Sequence, residues 1–129
     1  MNERGTSHVD VPADCTAATL VALIWETLVD VLGSAATATL IQRSVKIASR
    51  HNRAVEGVVV TREGFEYAYA LPELWKESGN PATIDALRSL ATELGPLLAE
   101  LTGPVVIRRL SQAADLRRCQ ILFEQERRA

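Results

Sequence analysis

Between Glu56 and Leu71 the chain stops spacing its apolar residues by three and four and begins to alternate them: "EGVVVTREGFEYAYAL". A strand points successive side chains to opposite faces, whereas a helix repeats every 3.6 residues, so this stretch cannot continue the helices on either side of it. Its β-branched and aromatic residues suit a pleated, half-buried surface. We read a β-hairpin over about residues 57–71, with Glu63 and Gly64 as the turn. That register pairs Arg62 with Phe65, Val60 with Tyr67 and Val58 with Tyr69, and it puts Val58, Val60, Phe65, Tyr67 and Tyr69 on one face. A two-stranded hairpin is marginal alone in water, so this face has to pack on helices or on a third strand.

Helical spacing holds elsewhere. From about Thr16 to Leu32, the residues Leu20, Leu23, Ile24, Leu28, Val31 and Leu32 step by three and four, and Val21, Trp25 and Val29 widen the stripe, which predicts a helix buried on most sides. Its unbroken apolar run ends at Trp25, and Glu26 and Asp30 would fall inside any span of the roughly 20 residues a bilayer needs. Gly33 and Ser34 read as stop and cap, and a second helix follows from Ala35 to about Arg50, its first half rich in small residues that let another backbone approach. Pro72 opens a short helix that turns Trp75 to the core. Asn80 and Pro81 cap and start a third long helix, which Gly95-Pro96 is expected to interrupt. "PVVIRRL" and "RRCQILFEQE" fit either helix or strand; helix is the reading adopted, with "QILFEQ" as an optional extra strand. The expected fold class is α+β. It is a mainly helical single domain over residues 14–129, behind a flexible lead-in of residues 1–13, with the hairpin packed on an N-terminal helical hairpin and a C-terminal helical half.

A chain of 129 residues that is 47% hydrophobic and 23% charged can bury one real core. Its charge is uneven: residues 56–104 sum to -5 and residues 105–129 to +3, within a total of -2. This balance favours neither nucleic acid nor a membrane as partner. Cys15 and Cys119 lack CxxC spacing and neighbouring histidines, which argues against a zinc site. Behind an N-terminus without an apolar run, they read as reduced thiols of a cytoplasmic protein. No GxGxxG, P-loop, GxSxG, HExxH or EF-hand pattern occurs, so no cofactor and no metal is expected.

Three groups of residues remain as candidates. An apolar pocket beneath the hairpin would draw on Trp25, Phe65, Tyr67, Tyr69 and Trp75, with Glu26 and Asp30 as like-charged neighbours one helical turn apart, for which Arg43 or Lys46 are the expected partners. Arg43, Lys46, Arg50 and Arg53, at three- and four-residue steps, form one docking patch, and Arg108 with Arg109 a second. His51 sits among these arginines, and His8 lies in the lead-in. The function expected is a non-enzymatic regulatory or protein-interaction domain acting as a homodimer, because the first helix is apolar around more of its circumference than a small monomer covers. A small-molecule sensor built on the Tyr/Trp pocket is the second expectation. An enzyme using Glu26 and Asp30 is the third.

Overall fold

Asn80 decides where the longest helix begins. Its side-chain oxygen accepts from the amides of Ala82 and Thr83, and Pro81 occupies the first helical position, where no amide is needed. The computed structural model describes residues 11–123. In chain order these form α1 (Ala17–Leu32), α2 (Ser34–Ala48), a two-stranded antiparallel sheet of β1 (Val59–Glu63) and β2 (Glu66–Ala70), α3 (Pro81–Thr102), α4 (Pro104–Ser111) and α5 (Ala114–Arg118). Short 3-10 turns cover Arg53–Gly57 and Glu73–Lys76. The helix α3 is the axis of the core: α1, α2 and α4 all pack against it, and the hairpin rests on α2. The architecture is the mainly helical α+β arrangement expected.

Trp75 lies on the short turn after Pro72 and is 1% exposed, packed in the core as its position implies. Asn52 ties the first 3-10 turn to α3: its oxygen accepts from the amide of Ala54, and its amide nitrogen donates to Asp85 and to Ser89, each at 3.2 Å. The lead-in is not loose throughout. Val11 packs on the core, and the backbone of Ala13 passes against Gly79, whose φ of +67° and lack of a Cβ admit it. Residues 1–10, with His8, lie outside the described residues, as do 124–129.

Several expectations are corrected. The hairpin turn is Gly64-Phe65, one residue later than read: Glu63 pairs with Glu66, Arg62 with Tyr67 and Val60 with Tyr69. The physical reason is the glycine. Gly64 has φ +67°, the conformation required at the first central position of a II′ turn, so the glycine opens the loop instead of closing it. Phe65 therefore leaves the strand face, and Val58 drops to a buried position just below the ladder. Ser34 is the first residue of α2 and makes no cap bond, because Gly33 (φ +86°) alone joins the two helices.

The Gly95-Pro96 break does not occur; α3 runs through it. Leu94, Gly95 and Leu98 are buried there, and burying one leucine is worth about 1.5–3 kcal/mol, enough for two of them to offset the roughly 3 kcal/mol of a helical proline. The helix α1 buries one side only, through Ala17, Leu20, Val21, Ile24 and Leu28, and Val31 faces solvent. Thr37, Ala38, Ser44 and Ala48 of α2 are buried within the protomer, so its small residues serve its own helix contacts. "PVVIRRL" is helical, but helix ends at Arg118. Cys119, Ile121 and Phe123 then alternate inward with the exposed Gln120 and Leu122, in the pattern of a strand without a ladder.

The cysteines are not free thiols. Cys15 and Cys119, 104 residues apart with Cα atoms 6.1 Å from each other, form a disulfide that ties the start of α1 to the end of α5. Thr16 bridges to Ser78, and the Gly79 amide donates to the Cys15 carbonyl at 2.7 Å, so the same point is also held by backbone. Disulfides persist in oxidising surroundings and are rare in the cytosol, which removes the cysteine argument for a cytoplasmic setting. Among the described residues no helix is long and apolar enough to cross a membrane.

Candidate interaction surfaces

Of the seven residues expected to line an apolar pocket, the structure brings together two. Trp25 of α1 and Tyr69 of β2 meet with ring centroids 4.9 Å apart at 51°, a tilted aromatic pair. Burial pushes the Tyr69 phenol above its ordinary value, and the nearby Glu26 carboxylate raises it further, since a second negative charge there is disfavoured. Beneath the pair lies a cavity of about 10 Å³, walled by Val21, Ile24, Ile41, Val58 and Leu87. That is room for no more than one water molecule, and the walls are apolar. Trp75 is in the core, Tyr67 sits farther out with the Arg62 guanidinium 5.7 Å from its ring centre, and Phe65 is 94% exposed at the turn.

Glu26 and Asp30 are both exposed. Asp30 does not pair with α2 as expected: it accepts from Arg109 of α4 at 2.8 Å, joining one candidate acid to one candidate docking residue. An exposed pair of this kind contributes about 0.2–1 kcal/mol. His51 faces Glu93 of α3 at 3.4 Å and not only arginines. Arg118 holds Asp14 at 2.6 Å and Asp115 at 3.0 Å, and hydrogen bonding to these two carboxylates raises its already high pKa. No cluster of three His, Cys, Asp or Glu suited to a metal occurs among the described residues.

The first basic patch is left open by these pairings. Arg43 and Lys46 lie on the solvent side of α2, Arg50 in its closing turn and Arg53 at the start of the 3-10 turn, and all four are exposed. None of their side chains has an ion-pair or hydrogen-bond partner among the described residues. Steps of three and four residues keep Arg43, Lys46 and Arg50 on one side of the helix, so they form a ridge.

One surface escaped the sequence reading. Where α3 ends and α4 begins, an open groove of about 680 Å³ runs between Gly95, Pro96 and Ala99 on one side and Pro104, Ile107 and Arg108 on the other, with Phe123 at its base. Arg108 is the one charged side chain among its lining residues. A signal was present: Gly-Pro occurs twice, at 95–96 and 103–104, and both copies wall the groove. Comparison with known proteins finds no matching family model, no similar curated protein and no matching solved structure.

Proposed function

We propose that the chain is a non-enzymatic interaction domain that docks an acidic surface of a protein partner on the ridge Arg43, Lys46, Arg50 and Arg53. The observation that supports this reading is the pairing pattern. Arg109 and Arg118 are neutralised by carboxylates of this chain, and Arg88 donates to the Cys119 carbonyl, whereas Arg43, Lys46 and Arg50 on one side of α2 and Arg53 just beyond it are exposed and their side chains have no partner among the described residues. Such a ridge steers and orients an oppositely charged partner more than it supplies raw affinity, which suits a reversible regulatory contact. A sensor pocket at Trp25 and Tyr69 would have to work with about 10 Å³, far below the roughly 300–1,000 Å³ of small-molecule sites.

The test is titration of the chain with a fluorescent polyglutamate peptide at low and at physiological salt. Binding that weakens at least tenfold in Arg43→Glu/Arg50→Glu, and weakens with salt, supports the ridge. The double variant keeps the wild-type melting temperature, because both side chains are exposed. Equal binding by wild type and variant overturns the reading.

A further inference from the structure

The hairpin tip carries an exposed aromatic knob. The outermost residue pairs, from Thr61 with Ala68 to Glu63 with Glu66, are exposed apart from the half-buried Tyr67, so the tip stands about 10 Å clear of the strand base at roughly 3.3 Å per residue. At its end Phe65 is 94% exposed, the most exposed large apolar side chain among the described residues, flanked by the carboxylates of Glu63 and Glu66. The Arg62 side chain donates to the Gly64 carbonyl at 3.0 Å, bracing the turn from behind. A phenylalanine here contributes nothing to the chain's own core.

The groove between α3 and α4 has the complementary character. It is walled mostly by glycine, alanine, proline, isoleucine and Phe123, with Ser111 and Gln112 at one end, and its lone charge is the cation of Arg108, which has no partner among the described residues. Val105, next to the groove residue Pro104 at the start of α4, is more than half exposed. An aromatic knob between two acids therefore matches an apolar groove with one base.

We infer that the two features are halves of one contact: the Phe65 tip of one copy of this chain enters the α3/α4 groove of a second copy, with Glu63 and Glu66 facing Arg108. Knob and groove are both on every chain. A two-fold arrangement lets each tip fill the other's groove and closes at a dimer. This places self-association on a surface other than α1 and α2, whose small residues are already used within the protomer, and it stands independently of the basic ridge.

Sedimentation equilibrium of the purified chain tests it. The wild type is expected to form a dimer of its 14.1 kDa protomer. Phe65→Ala weakens that dimer roughly thirtyfold or more, as removal of an interface anchor does, without moving the melting temperature at concentrations where both chains are monomeric. Ala99→Trp, at an exposed helix position, fills the groove and has the same effect on mass. Arg108→Glu also weakens association, and adding Glu63→Arg and Glu66→Arg to that chain restores it. A monomer at all concentrations overturns the inference. So does a dimer that Phe65→Ala leaves untouched, as a dimer built on α1 and α2 would be, or growth beyond the dimer.

Discussion

Two regions lie against the same helix and end differently. Under the hairpin, α3 meets α1 and α2 through Leu87 and Leu90, and Trp25 and Tyr69 close the space to about 10 Å³. About two turns farther along α3, Gly95 and Ala99 face α4 and leave about 680 Å³ open to solvent. Apolar residues dominate both linings, with Arg108, Ser111 and Gln112 the polar members of the groove's, so hydrophobicity alone does not separate them. Side-chain volume does: rings seal one region, and glycine, alanine and proline keep the other from sealing. A concentration of aromatic residues in the sequence thus marked a filled seat, and a pair of Gly-Pro steps marked an open groove.

The largest expected effect tests the open region. Gly95→Ala puts a methyl group inside contact distance of the Phe123 carbonyl oxygen, a backbone atom that cannot step aside alone. We expect a loss of about 2–3 kcal/mol in urea unfolding, at the upper end of overpacking costs. A loss under about 0.5 kcal/mol would show that residues 119–123 are not seated against α3. Trp25→Ala attacks the closed region, where the indole is only half-buried, and should cost about 2 kcal/mol, below the 3–5 of a fully buried tryptophan. It should also convert the seat into a cavity that takes up xenon, which the wild type does not. If no gas binds, the hairpin has collapsed onto α1, and closure there does not depend on the ring.

The smallest effect concerns pH. The Tyr69 phenol ionises above its ordinary value of 10.0 in the folded chain, because of its burial first and Glu26 second. Folded and unfolded chains then hold the proton alike below pH 10, but above it the unfolded chain releases it more readily. The stability contributed by this group is complete below pH 10 and is lost as pH rises through the folded value. Tyr69→Phe should therefore flatten the alkaline limb of stability measured by denaturant between pH 9 and 11.5. An unchanged limb would place the phenol in water and loosen the pair with Trp25.

The change of period at Glu56–Leu71, the Asn80-Pro81 start and the inward Trp75 were all legible, since each is a local preference that the fold obeys. The hairpin register was not, because a single glycine fits either central turn position, and the choice rests on Glu63, which a turn at Glu63-Gly64 would force to a positive φ that it does not take. Local preference also misled at Pro96, where burial on both sides carried the helix past its own breaker. The Cys15–Cys119 pairing carries no spacing signal at all, since it joins parts that only the folded core brings together. Of the candidate site, the ridge Arg43, Lys46, Arg50 and Arg53 could be read from spacing, but that Asp30 would take Arg109 depended on how α4 returns across α1.

That disulfide also changes how the domain would carry tension. A pull between residues 15 and 119 does not reach the helices, because the load crosses a covalent bond before it reaches any packed side chain. Roughly 350 Å of chain contour, at about 3.4 Å per residue over a separation of 104, stays locked behind that one link. Oxidised, the domain is a short rigid coupling; reduced, the same chain becomes a spring whose length depends on how many helices have opened.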